Sequence, residues 1–140
     1  MQTLKDGNIV VVALDPGEEI LESLVAVADE YKISGGCISG IGSVSEVEVA
    51  FFDPVKKEYI PRSFEEPMEM GNLTGNFSKI NGKRFAHCHI TVSGPELIAF
   101  SGHLNRAIVG TAAEIYIHAL GVTVLRAKDP DRGFNPLHLK

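Results

Sequence analysis

The sequence predicts an α+β domain, a largely antiparallel mixed sheet packed by a single N-terminal helix. Three observations carry that reading. Only one stretch, residues 17–31, repeats its apolar residues at helical spacing. Most of the rest falls into short runs rich in Val, Ile, Phe and Tyr, such as VEVAFF and AAEIYIHA, punctuated by Gly, Pro and Asn. Between two such runs, Asn81-Gly82 is the strongest hairpin signal of the chain. One helix among strands, in 140 residues, points to one compact domain spanning residues 1–140.

The elements follow in order. Residues 8–14 form a β-branched run that reads as a buried strand. Asp15-Pro16-Gly17-Glu18 is a helix start, with Asp15 as cap and Glu18 completing a pair like a capping box. The helix then places Ile20, Leu24, Val27, Ala28 and Tyr31 on one face. Gly35-Gly36 ends it. Residues 37–41 form a strand leading to Gly42. Residues 44–52 alternate, with Val47, Val49 and Phe51 on one side and Glu46, Glu48 and Ala50 on the other. Residues 57–60 suit a short return strand. Residues 68–78 suit a long one, bent or bulged at Gly71 and Gly75. After the Asn81-Gly82 turn come strands at 83–92 and 97–101, a loop or helical turn at 105–110, and a last pair at 112–119 and 122–127. The tail has Phe134, Leu137 and Leu139 as anchors.

The formal net charge is −5, and the 13 Lys and Arg residues are scattered. That balance opposes a strong non-specific grip on nucleic acid, which needs a basic face. Two cysteines without CxxC spacing indicate a reducing compartment and core thiols. No stretch approaches a membrane span, and the apolar run at 9–14 is too short for a signal segment. The expected location is cytoplasmic.

The chemistry concentrates in HCHIT at 87–91 and SGHL at 101–104. On a strand, His87 and His89 share one face and Cys88 takes the other. A hairpin through Ser93-Gly94-Pro95 folds His103 back beside them. Three neutral imidazoles on a rigid support can supply the protein part of a Zn²⁺ site with one position open. Fe, Co or Ni would accept the same ligands. Glu114 is the candidate carboxylate, either orienting a histidine or acting as base near a metal-bound water. It suits equally a solvated strand end or a partner for Arg106 or Arg126. His118 reads as a structural histidine or as a support behind a ligand. Gly40-Ile41-Gly42 lacks the third glycine of a dinucleotide loop and reads as a tight turn or bulge.

Taken together, GCISGIGSVSEVEVAFFD, MEMGNLTGNFS, HCHITV, SGHL and TAAEIYI resemble the PPC domain, conserved in plants and prokaryotes and also abbreviated PCC. The likeness runs from about residue 5 to 139, and RGFNPLHL resembles the family's closing segment. It implies an α+β fold with a largely antiparallel sheet, a homotrimer, and a metal on His87, His89 and His103. It also implies a regulatory or DNA-associated role by analogy. In plants the domain follows an AT-hook, but these residues contain no Arg-Gly-Arg-Pro core. Association with DNA therefore rests on likeness of fold. The contrasting expectation is a metalloenzyme built on an open three-histidine site.

Overall fold

A computed structural model of the protein describes residues 1–139. Strands β1 (Gln2–Asp6) and β2 (Ile9–Leu14) open it as an antiparallel pair. Helix α1 (Ile20–Glu30) follows. Then come β3 (Gly36–Asp53), β4 (Glu58–Phe64), β5 (Met68–Ile80), β6 (Lys83–Ser93) and β7 (Ala99–Ala119). Two-residue strands β8 (Leu125–Arg126) and β9 (Leu137–His138) end the described chain. A single parallel bridge, Lys79 to Leu125, makes an otherwise antiparallel sheet mixed. Strand β1 has no apolar alternation to announce it, because QTLKD is exposed apart from Thr3.

The sheet closes on itself. β3 pairs with β5 along one edge and β7 along the other, while β6 pairs with both β5 and β7. These four strands form a ring, so none of them is left as an open edge over its whole length. β7 is long enough to take β6 beside residues 99–103 and β2 beside residues 113–118. Between those two contacts Glu19 bridges to Ile108. Inward side chains from every ring strand, including Ile38, Leu73, Phe77, Ile90, Ile115 and Ile117, join Val10 and Val12 of β2 in one buried cluster. The helix lays Ile20, Leu24, Val27 and Ala28 against it. Each large aliphatic buried this way contributes about 1.5–3 kcal/mol.

Several local expectations change. The helix begins at Ile20, not Gly17, and Glu19 caps it by accepting the Glu22 N–H at 2.6 Å. Gly17 adopts φ +87, and Gly17 and Glu18 exchange backbone hydrogen bonds with Val109. That segment is thus tied to β7 and cannot wind into the helix. The Asp15–Glu18 pair does form, with Glu18 accepting the Asp15 N–H at 2.7 Å, but it closes a turn. Residues 105–110, expected as a loop or helical turn, lie inside β7, which pairs with β3 there. Ala50 is buried and Phe51 is 67% exposed, so the alternation that buries Val47 and Val49 breaks after Val49. Of residues 122–127, only Leu125–Arg126 is strand. Cys37 is exposed, whereas Cys88 is buried.

A candidate metal centre in an aromatic cleft

β6 and β7 form a hairpin in which His89 stands opposite His103. His87, two residues earlier, shares that face by the period of a strand. It is the outer face, since Cys88 between them points into the core. β5 backs the pair, with Asn76 opposite His87 and Thr74 opposite His89. Gly75 lies opposite Cys88, where a Cβ would overlap the His87 carbonyl and the Cys88 side chain. Only glycine lets β5 come this close behind the histidines.

One candidate ligand nitrogen from each of His87, His89 and His103 falls in a group no more than 4.8 Å apart. His87 and His103 are half-buried and His89 is exposed. His87 Nε2 is 3.1 Å from His103 Nδ1. The Arg126 Nη2 lies 3.0 Å from His87 Nδ1. A guanidinium only donates, so Nδ1 accepts and the neutral His87 ring carries its proton on Nε2. That proton is donated to His103. Burial, with the charge of Arg126 and the neighbouring rings adding to it, pushes the His87 pKa down to about 4. Burial likewise lowers that of His103, with His89 and Arg126 adding to the effect. Both rings are therefore neutral at pH 7, the form a metal requires.

The donor set fits a divalent transition cation. Two nitrogens on one tetrahedral Zn²⁺ stand about 3.3 Å apart at ordinary bond lengths, so closing the 4.8 Å group calls for side-chain adjustment. One detail differs from the usual support. A ligating histidine normally donates its far N–H to an acceptor, yet His87 faces a donor. If His87 held the ion through Nε2, its proton would sit on Nδ1 and the Arg126 hydrogen bond would have to be given up.

The rings open onto a cleft of about 660 Å³. Phe51, Phe52, Tyr59, Phe85 and Phe134 wall it. Tyr59 packs on His103 with ring centroids 4.7 Å apart, and Phe134 meets Phe52 edge-on at 5.4 Å. Arg126 is the one ionised side chain among its described lining residues. It donates to Ser78 Oγ, the Asn135 carbonyl and Asn76 Oδ1, each at 2.9 Å.

Glu114 is not part of this site. It is an exposed residue of β7, paired with Ala13 and Ile41. Because β7 runs unbroken, it stands eleven positions along the strand from His103, roughly 36 Å of extended chain. It contacts neither Arg106, which pairs with Glu46 at 2.7 Å, nor Arg126. His118 is also exposed on β7 and outside the cleft. Gly40 and Gly42 flank a bulge in the β3–β5 pairing. The sequence assigns no cleft role to Arg126, Tyr59 or Phe134. The one available signal was the aromatic and Arg content of segments lacking strand periodicity.

The profile of the Plants and Prokaryotes Conserved (PCC) domain matches residues 1–121. The chain belongs to the PCC family. Among solved structures similar to this PCC protein is a candidate DNA-binding protein from Bacteroides thetaiotaomicron. It is 36% identical, with 98% of this chain and 96% of that one covered, at a TM-score of 0.94. A candidate DNA-binding protein from Ralstonia eutropha is 29% identical, covering 99% and 96%, at 0.91. A metal-containing protein from Archaeoglobus fulgidus is 27% identical, covering 96% of both chains, at 0.87. No protein of curated function matches the PCC chain. No helix among the described residues is long and apolar enough to cross a membrane.

Proposed function

We propose that this PCC protein is a single-domain, cytoplasmic, metal-bearing module that works as a homotrimer, with Zn²⁺ as the first expected ion. The observation that carries the reading is the grouping of three imidazole nitrogens within 4.8 Å on one rigid hairpin. The Archaeoglobus relative, described as metal-containing, lends it support. His87, His89 and His103 would hold the ion, and Arg126 would orient His87 until the ion binds. A cation held so supplies Lewis acidity at the mouth of the cleft. The homotrimer is supported by an outward sheet face where Ile41 and Tyr116 are 56% and 50% exposed. Cyclic association of copies would cover it.

Association with DNA, as a regulatory module, follows the descriptions of two relatives. The net charge of −5 weighs against it. A metalloenzyme is the second reading, favoured by the cleft that the histidines face. No Asp or Glu is among the described residues lining that cleft, so a general base would have to come from elsewhere.

The test is elemental analysis of untagged protein beside the His87→Ala/His89→Ala/His103→Ala variant. The expected result is about one transition metal per chain, lost in the variant. Equal metal in both proteins, or none in either, refutes the site. Titration of duplex DNA at rising salt then separates the roles. A module acting on DNA binds with a negative salt slope.

A further inference from the structure

We propose that the cleft is a binding site for a small organic carboxylate, held by its charge against Arg126 and by its apolar part against the aromatic walls. The proposal rests on the reading of the histidines as a metal centre, and names the ligand class of that centre.

Charge comes first. The protein as a whole is acidic, at −5. The cleft inverts that sign, since its one ionised lining residue among those described is an arginine. Arg126 is half-buried, and all four of its hydrogen-bond partners are uncharged: Ser78, Asn76, His87 and the Asn135 carbonyl. No described carboxylate pairs with it, whereas Arg84, Arg106 and Arg132 each have one. A partly desolvated, uncompensated cation favours an anion.

Donor capacity comes next. A guanidinium carries five N–H groups, and the four recorded bonds leave one on Nη1. That N–H can donate to one oxygen of a carboxylate, a charge-assisted bond.

Size and lining decide between an organic and an inorganic anion. About 660 Å³ is far more than an ion with its waters occupies, and it lies in the range of small-molecule pockets. The Phe51, Phe52, Tyr59, Phe85 and Phe134 rings reward an apolar substituent that inorganic phosphate lacks. A second oxygen on the ligand, as in a 2-oxo acid, could occupy the coordination position that three imidazoles leave open.

The experiment uses full-length protein, with metal content measured first. Pyruvate, methyl pyruvate and inorganic phosphate are titrated by calorimetry into wild type, Arg126→Met and Arg126→Lys. Wild type is expected to bind pyruvate at least about tenfold more tightly than its uncharged ester or phosphate. Arg126→Met, at equal metal content, should erase that preference, and Arg126→Lys should restore part of it. Equal affinity for acid and ester in wild type overturns the proposal, and this comparison does not depend on any variant folding. Phosphate binding as tightly as pyruvate also overturns it, leaving an inorganic anion site. The two readings fail separately. A metal-free wild type that still prefers pyruvate through Arg126 keeps the carboxylate site and removes the metal. A metal-loaded protein indifferent to charge does the reverse.

Discussion

Among single residues, His87 is the most constrained of the candidate ligands, held by Arg126 on one nitrogen and His103 on the other. His87→Ala removes a ligand and leaves the guanidinium without that acceptor. Its metal affinity should fall by more than the roughly 10–100-fold that follows loss of a hydrogen-bond partner behind a ligand. Competition with a chromophoric chelator reads this directly. Acid should act on the same ring. In the unfolded chain it titrates near 6.5, and in the folded chain near 4. As pH falls through that window the unfolded state takes up a proton that the folded state refuses, so stability drops. Urea midpoints of metal-free protein should therefore decline from about pH 6.5 to about pH 4 and level off below. His87→Gln should flatten the slope. An unchanged slope would mean that His87 is not protected from protonation.

Among elements, the β5–β6 pair carries the site, and Gly75 sets how closely it zips. A Cβ at that position meets backbone, which cannot rotate away. Gly75→Ala should destabilise the domain by about 1–3 kcal/mol, as overpacking does. It should also weaken metal binding, because the displaced carbonyl belongs to His87. A variant with wild-type melting and metal affinity would contradict this account. The same strands show what a sequence can reveal. β6 was legible because its apolar alternation is unbroken and Asn81-Gly82, both at positive φ, sets its start. The three histidines were legible because their grouping needs only a strand period and one local hairpin. In the sequence, β3 and β7 look like fragments. Each is a single long strand whose bulges, as between Gly40 and Gly42 or Val44 and Glu46, interrupt alternation without ending the pairing. Arg126, Tyr59 and Phe134 reach the cleft from β8, β4 and the tail, through long-range packing that has no local periodicity.

For the whole molecule, the expected assembly is a trimer of 15.1 kDa chains. Light scattering on the eluted peak measures it. Tyr116→Glu, which puts charge on the exposed sheet face, should shift the mass toward one chain without unfolding it. A trimer untouched by that change would place the interface elsewhere. The ring of β3, β5, β6 and β7 also bears on how the chain reaches its final form. Closing it requires β3 to find β7, a pairing of residues such as Gly36 and Ala119 that are far apart in sequence. The candidate ligands need no such search. They lie within seventeen residues, on a hairpin whose kind forms in roughly 1–10 μs, well before distant strands meet. If the histidines hold a metal as proposed, an ion present during synthesis would be captured by a fragment that has not yet become a domain. It would then act as an early guide to folding, fastening the hairpin around which the slower pairings assemble.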